Sequence, residues 1–361
     1  MVLTHAFGTT PDGTPVRAFE LSCAHAAVRV SDFGATLLGV TVPDRDGQPA
    51  DVVLGFGSLE GYLDDPACFG ATIGPVANRT DKGEVPLAGH VWQLPQNDGP
   101  ERRNNLHTSL DAGLHKRVWT AETSEGDEPS AASSVTLTTT LADGELGLPG
   151  NRTFTATYEL ADTDVAATLT VRYRCETDAP TYVSMTNHSY FNLAGHTSGD
   201  VLAQHLAVRA SRYLPLREDS VSTGEVRDVA GTPFDFRKAK PIGRDIHASD
   251  PQLAIAHGYD HCLAVDGYQP GASPRPALHA EDPATGRALD IRVTTPGAHL
   301  YTGNWLGDEH AKDNASYHAH SGFAFEPEFW PDVIHHPAWE QPVCEPGHPY
   351  EQTIVYRFST I

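Results

Sequence analysis

The sequence predicts an all-β protein built from many short antiparallel strands, and three observations lead there. Apolar and polar residues alternate with a period of two over the readable segments. Convincing amphipathic helices are nearly absent, and 32 glycines and 27 prolines are spread along the whole chain. A period of two turns one face of a strand to a core and the other to solvent. Glycine and proline at this density, without an internal repeat or low-complexity stretch, supply the turns between short strands.

Taken in chain order, a first strand region is expected over 25–42, closed by the turn-forming run PDRDGQPA. One short helix is expected to begin near Ser58 in SLEGYL. Residues 121–134 show no strand pattern and read as an exposed loop. SSVTLTTTL alternates with Val135, Leu137 and Leu141 on one face, and RTFTATYEL with Phe154, Ala156, Tyr158 and Leu160. In ATLTVRYRC the inward set is Ala167, Leu169, Val171, Tyr173 and Cys175, with Thr168, Thr170, Arg172 and Arg174 between them. Further strands are expected at 205–215, 289–302 and 353–359, with HASDPQ as turn chemistry.

A chain of 361 residues has room for two or three average domains, yet large all-β folds often run as one. Residues 1–361 are read here as a single domain. A net charge of −22 argues against a broad basic face for nucleic acid or anionic membranes. The opening MVLTHAFGTTPDGTPVRAFE has no basic segment followed by an apolar run, and no stretch approaches the ~20 apolar residues of a membrane span. Cysteines 23, 68, 175, 262 and 344 are odd in number, scattered and free of any CxxC pair. That usage fits reduced thiols in a cytoplasm better than disulfides or a zinc site.

Five stretches combine polar and aromatic residues in a way that neither a buried strand nor a plain surface loop requires. They are GPVANRTDKGE (74–84), NNLHTSLDAGLHKRVW (104–119), TNHSYFNLAG (186–195), GYDHCLAV (258–265) and SGFAFEPEFWPDV (321–333). Together they supply Arg79, His107, His188, Asp260 and Glu326, the inventory a carbohydrate site wants. Carboxylates and arginine fix hydroxyl groups by charge-assisted bonds, rings cover the apolar face of a pyranose, and His and Glu exchange protons near neutral pH. Each residue also has a plainer reading. A lone His beside aromatics is commonly structural, Asp in Gly-Tyr-Asp is commonly a turn-former, and Arg79 with Asp81 is readable as a surface pair. Glu326 stands out, because alternation turns it and Ala324 away from Phe323 and Phe325, and a carboxylate in so apolar a run needs a reason. His318 and His320 would share one face of a strand as a metal pair, but no third ligand stands at a persuasive spacing. GFGSLEG has no βαβ context for a dinucleotide fingerprint, and neither GxSxG nor HExxH occurs.

The order and wording of these stretches resemble the aldose 1-epimerase (galactose mutarotase) family. The likeness runs from FGATLLGVTVPDRDG through DVVLGFGSLEGYL, FGATIGPVANR, NNLHTSL, TNHSYFNLAG, YLPLREDSVSTGEV, GTPFDFRK, GYDHCLAV, YTGN and FEPEFWPD to PVCEPGHPYEQTIVYRFS, nearly the whole chain. The resemblance implies a large antiparallel β-sandwich with a sugar cleft on one sheet, and interconversion of the α and β anomers of free aldoses. It implies Glu326 as general base at the C1 hydroxyl and His188 as general acid at the ring oxygen. Asn78, Arg79, His107 and Asp260 become substrate contacts, and Asn187 and the neighbouring rings orient His188. No cofactor or metal is implied, the partner is a monosaccharide, and a monomer or homodimer is expected.

The sequence departs from the family pattern at Pro75, Thr108, Ser109 and Thr295, positions expected to lie close to the site and to affect specificity. A non-catalytic sugar-binding sandwich is one alternative, but it has no need for both Glu326 and His188. An epimerase of a phosphorylated sugar would want an arginine cluster, for which Arg102-Arg103 is the main offer. A glycoside hydrolase would use a carboxylate pair such as Asp260 and Glu326.

Overall fold

The computed structural model describes residues 1–125, 132–163 and 165–361. Its largest sheet has nine antiparallel strands. In spatial order they are Thr120–Glu125, Ser133–Leu141, Arg152–Thr163, Ala166–Thr177, Tyr350–Thr360, Arg287–Val293, Arg275–Glu281, His205–Val208 and Lys240–Pro241. The alternation read from the sequence sets its register: Ala156 lies opposite Tyr173 and Tyr158 opposite Val171, all four buried. Arg172 and Arg174 fall on the opposite face, paired with Glu159, Glu176 and Glu351.

Two further sheets cover the apolar face. One has five strands, Val2–Thr9, Pro15–Ser22, Ala27–Ser31, Thr36–Pro43 and Pro49–Asp51. The other has six, in the order Tyr190–Phe191, Phe323–Glu328, Gly297–Tyr301, Asp260–Val265, Ala210–Tyr213 and Arg227–Asp228. One continuous apolar core joins all three, with Val28, Val30 and Val40 from the first cover sheet and Leu300, Phe323 and Phe325 from the second. Tyr158, Tyr173 and Tyr356 enter it from the large sheet. Each such side chain contributes about 1.5–3 kcal/mol when fully buried. The result is the antiparallel β-sandwich that the sequence and its resemblance imply.

Several elements differ from the sequence reading. Residues 121–125 and 133–134 are strand rather than loop, and 126–131 lie outside the described residues. Thr120–Glu125 is an edge strand with nearly every side chain exposed, so no buried face imposes alternation on it. The spans 205–215 and 289–302 each divide into two strands that belong to different sheets. The helix after Ser58 forms over Leu59–Leu63, but HASDPQ also starts one, at Pro251–Ala256. There Asp250 accepts from the Gln252 amide at 2.8 Å, a cap that a turn reading of Asp-Pro misses. His318 and His320 lie in a loop rather than a strand, and His320 Nδ1 is 2.9 Å from the Thr302 carbonyl. Among the described residues, no group of three or more His, Cys, Asp or Glu forms a metal-holding cluster.

Candidate active site

The cleft follows from strand parity in the six-stranded sheet. Phe323 and Phe325 face the core, so Ala324, Glu326 and Glu328 face the other way, as the sequence predicts for Glu326. On the neighbouring strand Ala298 and Leu300 are core residues, which turns His299 and Tyr301 to Glu326's side. Register places His299 opposite Glu326, and Tyr301 opposite both Ala324 and Asp260. Loops then roof this face. The roofed cleft, of about 400 Å³, is lined by Asn78, Arg79, His107, His188, Asp260 and Glu326, all six residues singled out in the sequence. The five polar-aromatic stretches converge there.

His188 ends the strand Thr186–His188, which pairs with Ala71–Ile73. Gly70 fixes that approach. Its amide donates to the His188 carbonyl at 3.0 Å, its φ is +65°, and a Cβ there would stand 2.0 Å from the Leu37 carbonyl oxygen. Only glycine fits. Asn187 does not orient the imidazole directly. It points to the opposite side, donating to the Gly70 carbonyl at 3.2 Å and accepting from Ser189 Oγ at 2.6 Å, and so secures the strand. Tyr190 packs on the His188 ring with centroids 5.0 Å apart, and His107 meets it edge-on at 5.5 Å.

His188 Nε2 lies 3.5 Å from Glu326 Oε2, beyond a good hydrogen bond, and Glu326 Oε2 and His188 Nδ1 have no other partner. Both side chains are almost fully buried. Burial pushes the Glu326 carboxyl well above its usual range. His299 and Arg79 oppose that shift, and Glu328 and Asp260 reinforce it. Burial also pushes His188 down to about 4. Burial thus disfavours the charged form of each group, and a proton shared by the pair favours Glu326 over His188.

Asn78 and His107 both take left-handed backbone, with φ of 60° and 55°. Such conformations away from glycine cluster at working sites. The Asn78 backbone N–H donates to His107 Nδ1 at 3.1 Å, which leaves the His107 proton on Nε2. Burial, then the neighbouring His188, push His107 well below its usual value, so it is a neutral donor. Arg79 Nε holds Asp98 at 2.8 Å, and its Nη1 is 3.8 Å from Asp260; Asp81 instead pairs with Arg217. Burial would raise the Asp260 carboxyl, but His299 and Arg79 outweigh it and hold Asp260 far below the usual range.

Sequence reasoning missed His299 and Tyr301 in the cleft wall, Glu328 behind it, and Trp305 and Asp308 at the rim. His299 Nε2 donates to Asp260 Oδ1 at 2.8 Å. The signal existed in PGAHLYTGN, where alternation groups His299 with Tyr301. GYDH and YTGN are also locked together: a Cβ on Gly258 would lie 2.4 Å from Asn304 Oδ1. The four departures do not themselves line the cleft, although Thr108 and Ser109 directly follow His107. Thr108 Oγ1 bridges the Val76 backbone, Ser109 Oγ accepts from Ala112, and Thr295 Oγ1 donates to the Gly297 carbonyl. Pro75 is buried with its carbonyl accepting from Ser184. Arg102 and Arg103 stand outside the cleft, Arg103 paired with Glu101.

Comparisons agree first on the class, a sugar-isomerase β-sandwich. The fold matches galactose 1-epimerase from Lactobacillus acidophilus NCFM with a TM-score of 0.84 and 26% identity, covering 100% of this chain and 99% of that one. It matches an aldose epimerase homologue from C. elegans at 0.81 and 28%, covering 95% and 98%. The sequence is 37% identical to galactose mutarotase of Homo sapiens over 98% of this chain and 97% of that protein. It is 35% identical to aldose 1-epimerase of Escherichia coli (strain K12), covering 96% of each. The family model for aldose 1-epimerase matches residues 17–357, and the chain belongs to that family.

Proposed function

We propose that this protein interconverts the α and β anomers of a free aldose, with Glu326 and His188 as the acid–base pair. The observation that carries the reading is that pair: two buried proton-exchanging groups held 3.5 Å apart without bonding each other, Oε2 having no partner at all. A sugar's C1 hydroxyl and ring oxygen supply the missing partners. In ring opening, Glu326 takes the C1 hydroxyl proton while His188 gives a proton to the ring oxygen as the C1–O5 bond breaks. Rotation about C1–C2 and reclosure with the roles reversed produce the other anomer. Opening therefore leaves Glu326 protonated and His188 neutral, the arrangement that burial favours, and a hydroxyl bound to Oε2 favours the reverse. Each group contributes about 10²–10⁴-fold.

Asn78, Arg79, His107 and Asp260 serve as hydroxyl contacts in this reading, His107 through its Nε2–H. No step requires a cofactor or metal. We read residues 1–361 as one domain, supported by the core shared among three sheets. A cytoplasmic setting is supported by five free thiols; among the described residues no helix is long and apolar enough to cross a membrane. The test is polarimetry on freshly dissolved α-D-glucose and α-D-galactose. Wild type should speed the approach to anomeric equilibrium, and Glu326→Ala and His188→Ala should lose most of that effect. Wild-type inactivity on every aldose tried would remove the reading.

A further inference from the structure

His299 takes no part in the proton transfers described above, yet it has polar partners on both ring nitrogens. Its Nε2–H donates to Asp260 Oδ1 at 2.8 Å, and its Nδ1 lies 3.4 Å from Glu328 Oε1. It is buried, and it sits directly across the strand pair from Glu326 on the same face. Residues so opposed have Cβ atoms about 4.5–5.5 Å apart, within the range where one charge moves another group's proton affinity.

Nδ1 has a second neighbour. The Asn78 side-chain Nδ2 stands 3.0 Å from it and also donates to Glu328 Oε1 at 3.3 Å. An amide N–H donates to Nδ1 only when the ring is neutral, so Asn78 and Glu328 serve different protonation states. Charge decides between them. Asp260 and Glu328 bracket one imidazole, and Arg79 is the only arginine or lysine among the described residues lining the cleft. Burial opposes a charge on His299, but Asp260 and Glu328 prevail and carry it up to about 10.

We propose, resting on the reaction assigned above, that His299 is a positioning residue: as an imidazolium it holds Asp260 for the sugar hydroxyls and, balanced by Glu328, sets the pH range over which the Glu326–His188 pair keeps its single proton. The remaining titratable neighbours do not compete for this role. Burial keeps His107 and His261 neutral, and it keeps the phenols of Tyr190 and Tyr301 and the Cys262 thiol protonated. Arg79 remains cationic, its charge sustained by Asp260 and Asp98 against burial.

Two variants give opposite signs. His299→Gln keeps a side chain able to hydrogen-bond but removes the cation, so both limbs of the kcat/KM–pH bell should move alkaline. A displacement of about one unit is a tenfold loss on the acidic side. Glu328→Gln removes an anion, so the bell should move acid. Uniform loss at all pH values, no displacement, or displacement in one direction for both variants would overturn the proposal. If His299→Gln lacks a cooperative melt, Glu328→Gln decides alone: an acid shift upholds the proposal, and no shift or an alkaline shift overturns it. ¹⁵N NMR of the wild-type imidazoles, assigned with the variants, tests the charge without any turnover. Both His299 nitrogens should be protonated from pH 6 to 9, and a neutral tautomer at pH 7 sinks the inference. Failure of wild type to mutarotate would refute the reaction, while the NMR titration would still report the charge separately.

Discussion

Replacing Glu326 by Gln should stabilise the protein while disabling it, and the gain should grow with pH. Glu326 is 2% exposed, and its Oε2 has no hydrogen-bond partner. Burial raises its folded pKa well above the value in the unfolded chain, ~4.3. Below that value both states carry the proton and the carboxyl imposes no pH-dependent cost. As pH rises, the unfolded chain releases its proton first, so the folded state binds more protons and stability falls with pH. The loss is about 1.4 kcal/mol per unit until the folded carboxyl itself ionises. Gln has the same shape and no proton to lose. Glu326→Gln should therefore match wild type within ~0.5 kcal/mol at pH 4.5 and exceed it by about 1–3 kcal/mol at pH 7.5, the usual penalty for an unsatisfied buried group. A chain of this length has an unfolding entropy of about 0.8 kcal/mol/K, so the gain appears as about 1–4 °C in Tm. Thermal melts at both pH values, beside polarimetric rates showing a ~10²–10⁴-fold loss, make the test. A variant less stable than wild type at pH 7.5, or a gap that does not widen with pH, would refute the reasoning.

Asp260→Asn removes the charge that His299 and Arg79 engage, and it should raise KM at least about tenfold, the effect of ~1.4 kcal/mol, with a smaller fall in kcat. Initial polarimetric rates across sugar concentrations check this, and an unchanged KM would take Asp260 out of substrate binding. Lys312→Met should cost about 3–5 kcal/mol in denaturant unfolding, because Lys312 Nζ donates to the Leu38 and Val53 carbonyls and to Asp51 Oδ2. A loss below 1 kcal/mol would mean that water replaces it. Trp305, 67% exposed at the cleft mouth, should give a Trp305→Ala protein within ~0.5 kcal/mol of wild type but with a KM raised severalfold. Equal KM values would show that the indole does not reach the sugar.

Alternation is legible wherever one face of a strand meets a core, which is why 133–141, 152–160 and 167–175 were readable residue by residue. It fails where both faces see water, as at Thr120–Glu125, and where a strand is polar and buried throughout, as at Thr186–His188. It also does not say which sheet a strand joins. The chain changes sheets at residue 209 and again over 294–296, and neither change alters the polarity pattern. His299 was lost for a related reason. By parity it belongs to the face that alternation assigns to solvent, and only the segments carrying Asn78, His107 and His188 convert that face into a cleft floor. The six site residues named from sequence were accessible because they sit in wording that no packing rule explains.

The charges of the cleft account for why its histidine and glutamates occur together. Asp260 and Glu328 flank His299, Glu326 faces it, and Arg79 is shared between Asp98 and Asp260, so carboxylates outnumber the cations here. Ring opening and reclosure pass one proton back and forth within that acidic surrounding. Removing His299's charge would strengthen the negative field, and the pair would then take up its protons at higher pH. Removing Glu328's would weaken it, and the pair would release them at lower pH. Strand parity brings Glu326, Glu328 and His299 to one face, because the two glutamates are two residues apart on one strand and His299 faces Glu326 from the next.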